Sequence, residues 1–340
     1  MPNETSPISQ TPLVSVAMAT YNAGEYLQDQ IASILSQSYP HIEIVISDDE
    51  SNDGTYERLL EYAASDIRIR VLPRSGRRGF NENFMHCFRA CRGQWILPCD
   101  QDDIWDTDKI RLLLNSVKPG ELAFCDSSFI DQQGTPCTHN GDRLMSENFM
   151  PCANPPLLGL LFRSCISGHA FMFPTDILEN MPAIPPMSYY DHWISLWARA
   201  NRYPIRYVDS PLVRYRRHQE AVIVKDRSNK AGGKIRTLQS HWAAASSLIN
   251  ALDQSPEKHQ LEQLQHAMKD WFTSWISIHA FLFFFVNRNQ IFRREKSVKK
   301  IRKSIQYFFG YKLRSRLSPR KYPPITECNG SELRFEKTTP

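Results

Sequence analysis

Apolar and polar positions in the first third of the chain switch repeatedly between two rhythms. Val14-Ser15-Val16-Ala17-Met18-Ala19 is a strand-forming run closed by the turn sequence Thr20-Tyr21-Asn22-Ala23-Gly24, after which Leu27, Ile31, Ile34 and Leu35 recur at helical spacing. The pattern returns with a strand at Ile42–Ile46 that ends in Asp48-Asp49, a turn at Ser51–Gly54, and helix positions Leu59, Leu60 and Tyr62. Ile67 to Leu72 predicts a third strand, and Phe80, Phe84, Cys87, Phe88 and Cys91 a third helical stripe. Trp95-Ile96-Leu97 predicts a fourth strand, running directly into Asp100-Gln101-Asp102-Asp103. This alternation predicts an α/β fold with a mostly parallel sheet and helices on both faces. In such sheets a ligand lies beyond the carboxyl ends of the strands, near a switch in strand order. Three predicted strand ends carry polar clusters, Thr20–Asn22, Asp48–Asp49 and Asp100–Asp103, and the fold would bring them to one rim.

After about residue 118 the rhythm changes, with proline-rich stretches at Pro151–Pro156 and Pro182–Pro186. A helix is expected from Asp191 to Ala200 and a strand from Ile205 to Val208. Beyond residue 226 the chain reads as helical, with Ile235, Leu238, Trp242, Leu248 and Leu252 at helical intervals. A boundary near Val224–Gly233 therefore divides a 12–225 domain from a helical, basic 226–340 region. A length of 340 residues suits one large or two modest domains, and 41% hydrophobic with 23% charged residues is the composition of a globular chain.

Charge changes this picture more than composition does. The formal net charge of +5 hides an asymmetry: Arg288 to Lys321 holds thirteen Lys or Arg against Glu295 alone, a net of +12, which leaves −7 for the rest. A basic tail on an acidic body meets anionic lipid or nucleic acid. No nucleic-acid-binding motif accompanies the tail, so an anionic membrane surface is expected and nucleic acid is not. Just before the block, Trp271 to Val286 is sixteen residues without a formal charge. As a helix it would span about 24 Å, short of the roughly 30 Å hydrocarbon core, so it reads as an interfacial anchor, with a buried core helix as the alternative. The eight cysteines show no paired spacing, and Met1–Thr11 lacks the basic-then-apolar order of a signal peptide. Reduced thiols and a cytoplasmic location, peripheral on the inner membrane, are the expectation.

Asp100, Asp102 and Asp103 crowd three carboxylates into four residues. Like charges so close raise one another's pKa, and such a cluster gains by holding a cation. Hard oxygen donors suit Mg2+ or Mn2+; the plain alternative is a solvated acidic turn before the next helix. Neither GxGxxG nor GxxxxGK[ST] occurs, so dinucleotide-oxidoreductase and P-loop readings lack their phosphate cradles, and no HExxH is present.

VSVAMATYN (Val14–Asn22), ISDDESNDGT (Ile46–Thr55), GFNENF (Gly79–Phe84) and CDQDDIW (Cys99–Trp105) resemble, in order and spacing, the motifs of family 2 glycosyltransferases with the GT-A fold. With Tyr190-Asp191-His192-Trp193 and Tyr215-Arg216-Arg217-His218 further on, the chain is most similar to the bacterial rhamnosyltransferase branch, over roughly residues 12–220. It departs at Glu50, where glycine is usual, and at Cys99, where serine is common. The resemblance implies a nucleotide-sugar donor, a divalent cation and a saccharide or lipid-linked acceptor. It implies that Asp48 or Asp49 meets the base and ribose, that Thr20 and Tyr21 line the nucleotide pocket, and that Asp100 meets the ribose. Asn22, Asn83 and Gln101 join that donor site, and Arg78 adds positive charge near the phosphates. Asp102, with His218, would hold the metal. Asp191 is the expected general base, its alternative being a helix-capping aspartate; Tyr189, Tyr190 and Trp193 would partly desolvate it and offer a wall for a sugar. Two other functions remain open: a non-catalytic nucleotide-sugar-binding protein and a metal-dependent phosphohydrolase.

Overall fold

In the computed structural model Val14–Thr20 (β1) is buried on both faces, the condition of a central strand, and the rest of the sheet is laid down around it. The structure describes residues 11–74, 76–218, 233–293, 295–317, 325–329 and 332–335. After β1 come Tyr26–Leu35 (α1), Ile42–Asp48 (β2), Thr55–Ser65 (α2), Ile69–Val71 (β3), Phe80–Ala90 (α3) and Trp95–Cys99 (β4). Ile104–Trp105 (β5), Lys109–Ser116 (α4), Leu122–Ile130 (β6), Ser146–Phe149 (α5), Leu157–Phe162 (α6), Phe171–Pro174 (β7), Tyr190–Ala200 (α7) and Ile205–Arg216 (β8) follow. The predicted third strand is shorter than its apolar run, because Ile67 is fully exposed. The strand expected at Ile205–Val208 continues to Arg216, with its ladder to β6 shifting register where Asp126 faces Pro211, a residue with no N–H to donate.

Among the described residues, eight strands form one sheet in the order β3-β2-β1-β4-β7-β6-β8-β5. Strands β3, β2, β1 and β4 are parallel neighbours, while β7 is antiparallel to both β4 and β6. The chain steps outward from β1 to β2 and β3, then returns to the other side of β1 at β4, which is the topological switch that opens a crevice. Register aligns the rim: Thr20 faces Asp48, and Met18 faces Cys99, so the residues after each strand leave the sheet together. Antiparallel β7 matters for the same reason. Its pairing of Pro174 with Trp95 and Phe173 with Ile96 runs its amino end toward the carboxyl end of β4, so the 3-10 turn Gly168–Ala170 lies on the site's rim.

The helices after residue 232 do not form a separate core. Trp242, Leu248, Leu264 and Phe272 bury into the same cluster as Phe84, Phe173 and Trp193. Residues 224–232 of the predicted boundary lie outside the described residues, and Gly233 begins the helix Gly233–Ala251. The charge-free run Trp271–Val286 is not one helix. Trp271 and Phe272 end the helix Pro256–Thr273 and are buried, and Ser277 starts a new helix, Ile278–Val286, by accepting the Ala280 N–H. Inward positions Ala280 and Phe284 are buried in that helix, while Ile278, Leu282 and Val286 are exposed. Trp271 and Phe284 are therefore core residues, a correction to the reading of the whole run as an anchor.

Candidate active site

The rim of β1 and β2 is held by its own polar side chains. Asp48 is buried; its carboxylate accepts hydrogen bonds from the Thr20 and Ser51 hydroxyls at 3.0 and 2.5 Å, and from Arg74 Nε at 2.9 Å. Arg74 in turn lies 4.0 Å over the Tyr56 ring. Asp49, also buried, accepts the backbone N–H groups of Arg78 and Gly79 at 2.5 and 3.0 Å and sits 3.7 Å from Arg77 Nε. The expected nucleotide-binding carboxylates thus also shape the loop that carries Arg77 and Arg78. Asn83 is buried behind them, its amide donating to the carbonyls of Thr20 and Ser47 at 3.3 and 3.1 Å, where it ties β1 to β2. Asn22 has φ +48°, and its side chain accepts the Asn52 N–H at 2.9 Å. Glu50, where the resemblance led one to look for glycine, has φ +62°, a left-handed conformation that costs a side-chain-bearing residue about 1–2 kcal/mol; its carboxylate accepts the Gly76 N–H at 3.1 Å.

Tyr21 is the accessible member of this group, with the Arg77 guanidinium 4.4 Å above its ring. Gln101 fixes its backbone from the other side of the crevice, accepting the Tyr21 N–H at 2.8 Å and donating to its carbonyl at 3.1 Å. The ends of β1 and β4 are therefore joined by one amide side chain.

The acidic cluster occupies the next stretch of rim. Asp103 is fully buried; one oxygen accepts the Arg216 N–H at 3.0 Å and the other has no partner. Burial, reinforced by Asp102 and Asp100, pushes its carboxyl far above the usual range. Burial together with Asp102 and Asp191 pushes Asp100 up to about 7. Asp102 Oδ2 lies 2.7 Å from His218 Nε2, and the other ring nitrogen of His218 is buried without a partner. Lys109, fully buried in α4, sits 3.3 Å over the Trp105 ring and donates to the His169 carbonyl at 2.7 Å; burial pulls it down to about 8. It is the cation facing this cluster from inside. Donor atoms of Asp100, Asp103 and His169 lie within 4.8 Å of one another. His169 stacks on Tyr215 and bonds Ser127 at 2.9 Å, and burial pulls its pKa down to about 3, so its ring is neutral near pH 7.

Sequence reasoning missed His169, Lys109 and the clamp made by Arg216. His169 reaches the rim by an antiparallel strand that no local periodicity announces. Arg216 is only 2% exposed; its guanidinium donates to the carbonyls of Asp102 and Gln132 at 2.8 Å and pairs with Asp29 at 2.9 Å. A lysine beside inward-facing Ile110, in a helix with Leu113, was the signal available for Lys109.

Asp191 lies in the first turn of α7, whose cap position is Tyr189, with no side-chain cap bond. Its carboxylate instead accepts the Gly168 N–H at 3.0 Å and the His192 N–H at 2.7 Å. Burial raises its pKa. His192 turns away, its Nε2 2.9 Å from the Leu160 carbonyl. Gly168 permits the approach. A Cβ there would collide with the Tyr190 hydroxyl and lie 3.0 Å from Tyr190 Cζ and 3.5 Å from Asp191 Cβ. Tyr190 is buried between Phe84 and Phe88 and has no room to retreat. Gly168→Ala is therefore expected to cost about 1–3 kcal/mol, the usual penalty of overpacking, and to displace Asp191; thermal melting with a parallel rate measurement checks both.

Glycosyl transferase family 2 is the family profile that the sequence matches, over residues 15–181, the stretch that carries β1, β2, β4 and the acidic cluster. Residues 15–181 are a family 2 glycosyltransferase domain. TuaG of Bacillus subtilis, named as a teichuronic acid biosynthesis glycosyltransferase, is 36% identical over 127 residues, 37% of this chain and 50% of its own. WfgD of Escherichia coli, a UDP-Glc:alpha-D-GlcNAc-diphosphoundecaprenol beta-1,3-glucosyltransferase, is 31% identical over 33% of this chain and 44% of its own. The match thus spans half or less of those relatives. S. aureus TarS with UDP-GlcNAc superposes with a TM-score of 0.56 over 95% of this chain and 96% of that one, at 15% identity. The mannosyltransferase PcManGT of Pyrobaculum calidifontis, with GDP-Man and Mn2+, gives 0.51 over 92% and 83% at 15% identity. The fold of the glycosyltransferase domain is GT-A.

Proposed function

We propose that this protein is an inverting, metal-dependent glycosyltransferase that moves a sugar from a nucleotide donor to a surface-polysaccharide or lipid-linked acceptor, working at the cytoplasmic face of the inner membrane. The observation that carries this reading is the meeting, across one crevice, of the braced rim Thr20–Asp48–Asp49, the cluster Asp100–Asp103 and the carboxylate of Asp191. The negative charge of Asp191 helps raise the Asp100 pKa, which supports a reading that sets the proposed base beside the acidic cluster.

The nucleotide lies on the β1–β2 side, with the Tyr21 ring as a stacking surface and Arg77 and Arg78 supplying positive charge. A divalent cation fits the donor set: oxygen ligands, the neutral His169 and the unpartnered His218 ring nitrogen surround a concentration of negative charge that Lys109 faces from within. Asp102 and His218, with Asp100 beside them, are the residues that would hold it, and as a Lewis acid it would offset charge developing on the departing diphosphate. Asp191 takes the acceptor hydroxyl's proton as that oxygen bonds to the anomeric carbon and the carbon–diphosphate bond breaks. One displacement of this kind inverts the anomeric centre and needs a single base. The two backbone N–H groups on Asp191 fix its direction, and desolvation keeps it basic enough to accept a proton.

The donor sugar we infer is L-rhamnose carried on dTDP, supported by DQDDIW, YDHW and YRRH. Incubation of the protein with dTDP-rhamnose, UDP-glucose, UDP-GlcNAc and GDP-mannose, each with and without Mn2+ and with mixed saccharide acceptors, tests it. The expected result is Mn2+-dependent glycoside formation with release of dTDP. Another donor turning over would move the sugar assignment. Binding without turnover would make this a nucleotide-sugar-binding protein, and release of inorganic phosphate a phosphohydrolase.

A further inference from the structure

Two C-terminal helices pack on each other and each leaves an apolar stripe uncovered. On Ile278–Val286 the stripe is Ile278, Leu282 and Val286, which are 59%, 51% and 71% exposed and recur every four residues. On Ser297–Ile305 it is Val298, Ile301 and Ile305, at 81%, 40% and 44%. Ser304 bonds the Phe284 carbonyl at 3.1 Å and Tyr307 stacks on Phe284, which fastens the second helix to the first. Exposed Trp275, Ile276 and Phe309 extend the apolar surface, with Ile276 and Phe309 paired across a bridge.

Positive charge borders these stripes closely. Arg288 lies 4.4 Å over Phe285 and Arg316 5.6 Å over Trp275. A cleft of about 740 Å³ beside the second helix is lined by Arg163, Lys296, Lys299 and Arg302, with Val298 at its wall and one carboxylate, Glu295. Glu295 is held by Lys299 and Lys303 at 2.7 and 2.5 Å, which keep it ionised down to about pH 2, so it is spent on its neighbours. No described helix is long and apolar enough to cross a membrane.

We propose that this face docks on an anionic phospholipid bilayer, with both apolar stripes in the boundary between headgroups and acyl chains and lipid phosphates held by the cleft and its flanking cations. The inference rests on the membrane-surface reading above and names the surface responsible. Charge selects the occupant. A second copy would set one basic block against another, whereas an anionic lipid surface complements both the apolar stripes and the +12 segment.

Sedimentation of the full chain with phosphatidylcholine vesicles, with and without phosphatidylglycerol, tests this directly. Binding is expected only when phosphatidylglycerol is present, and high salt should release part of it, since salt screens charge and leaves apolar burial in place. Lys300→Gln with Arg302→Gln should weaken low-salt partitioning roughly thirtyfold, at about 1 kcal/mol per basic residue. Leu282→Ser with Val298→Ser should abolish the salt-resistant part. Both pairs are surface changes, so melting temperature and nucleoside-diphosphate affinity should stay unchanged. Equal partitioning onto neutral and anionic vesicles, or none onto either, would overturn the proposal; so would a dimer in sedimentation velocity that Leu282→Ser dissociates. Failure of the glycosyltransferase reading looks different, as a protein that binds the vesicles but turns over no donor.

Discussion

Replacing Asp191 with asparagine is expected to lower sugar transfer by about 10²–10⁴, the usual worth of a positioned general base, while nucleoside-diphosphate affinity stays within a few-fold of wild type. Asn keeps one oxygen to accept the Gly168 N–H, which holds the turn Gly168–Ala170, while its NH2 faces the His192 N–H, which loses its acceptor; a melting curve measures that cost, and the loss of rate beyond it reports the lost proton acceptor. The pH dependence follows with a definite sign. Burial raises the Asp191 pKa, so the base is protonated and inactive at a higher pH than an ordinary carboxylate; the acid limb of kcat for the wild type should lie above pH 3.8, with the rate rising as pH rises through it. The Asn variant should lose that limb. Retained activity, or loss of nucleotide binding, would make Asp191 a structural residue of α7.

Much of this site is legible in the chain because α/β topology converts strand ends into a line. The ends of β1, β2 and β4 lie at one rim for a reason of register, and each is visible as a short apolar run closed by polar residues. What the chain does not display locally is contact made across the sheet. His169 comes to Asp100 through antiparallel β7, and Arg216 reaches Asp103 from the end of β8, more than a hundred residues away. Their partners are set by strand order, which a single periodicity does not encode. Lys109 is hidden for a different reason. It is buried only because the Trp105 ring and the His169 carbonyl are there to receive its ammonium, and an isolated lysine in a helix reads as solvated. The tail shows the opposite error. Absence of charge from Trp271 to Val286 suggested one anchor, yet Ser277 inside the run carries a helix-starting signal, and the helix begun there turns Phe284 inward and Leu282 outward.

The second large effect is expected at the acidic cluster, where the proposed cation has two alternative sets of side chains to hold it. Asp103 and His169 are buried, and an oxygen of Asp103 is already engaged by the Arg216 N–H; the Asp102 side chain, with His218 against it, keeps 17% exposure, where a diphosphate can arrive. Asp102→Asn should therefore weaken Mn2+ binding in the presence of nucleoside diphosphate by more than the roughly 10–100-fold that loss of an outer-shell partner costs, and donor turnover should vanish with it. Asp103→Asn separates the alternatives. Burial and the neighbouring carboxylates push the Asp103 pKa up and so favour its neutral form, to which an amide is close in charge and shape. That variant should melt near the wild-type temperature and keep Mn2+ affinity within a few-fold. Calorimetric titration of Mn2+ into both variants, with nucleoside diphosphate present, measures the difference. An unchanged affinity in Asp102→Asn, together with a collapse in Asp103→Asn, would move the cation inward to Asp100, Asp103 and His169, whose donor atoms already lie close enough to share it.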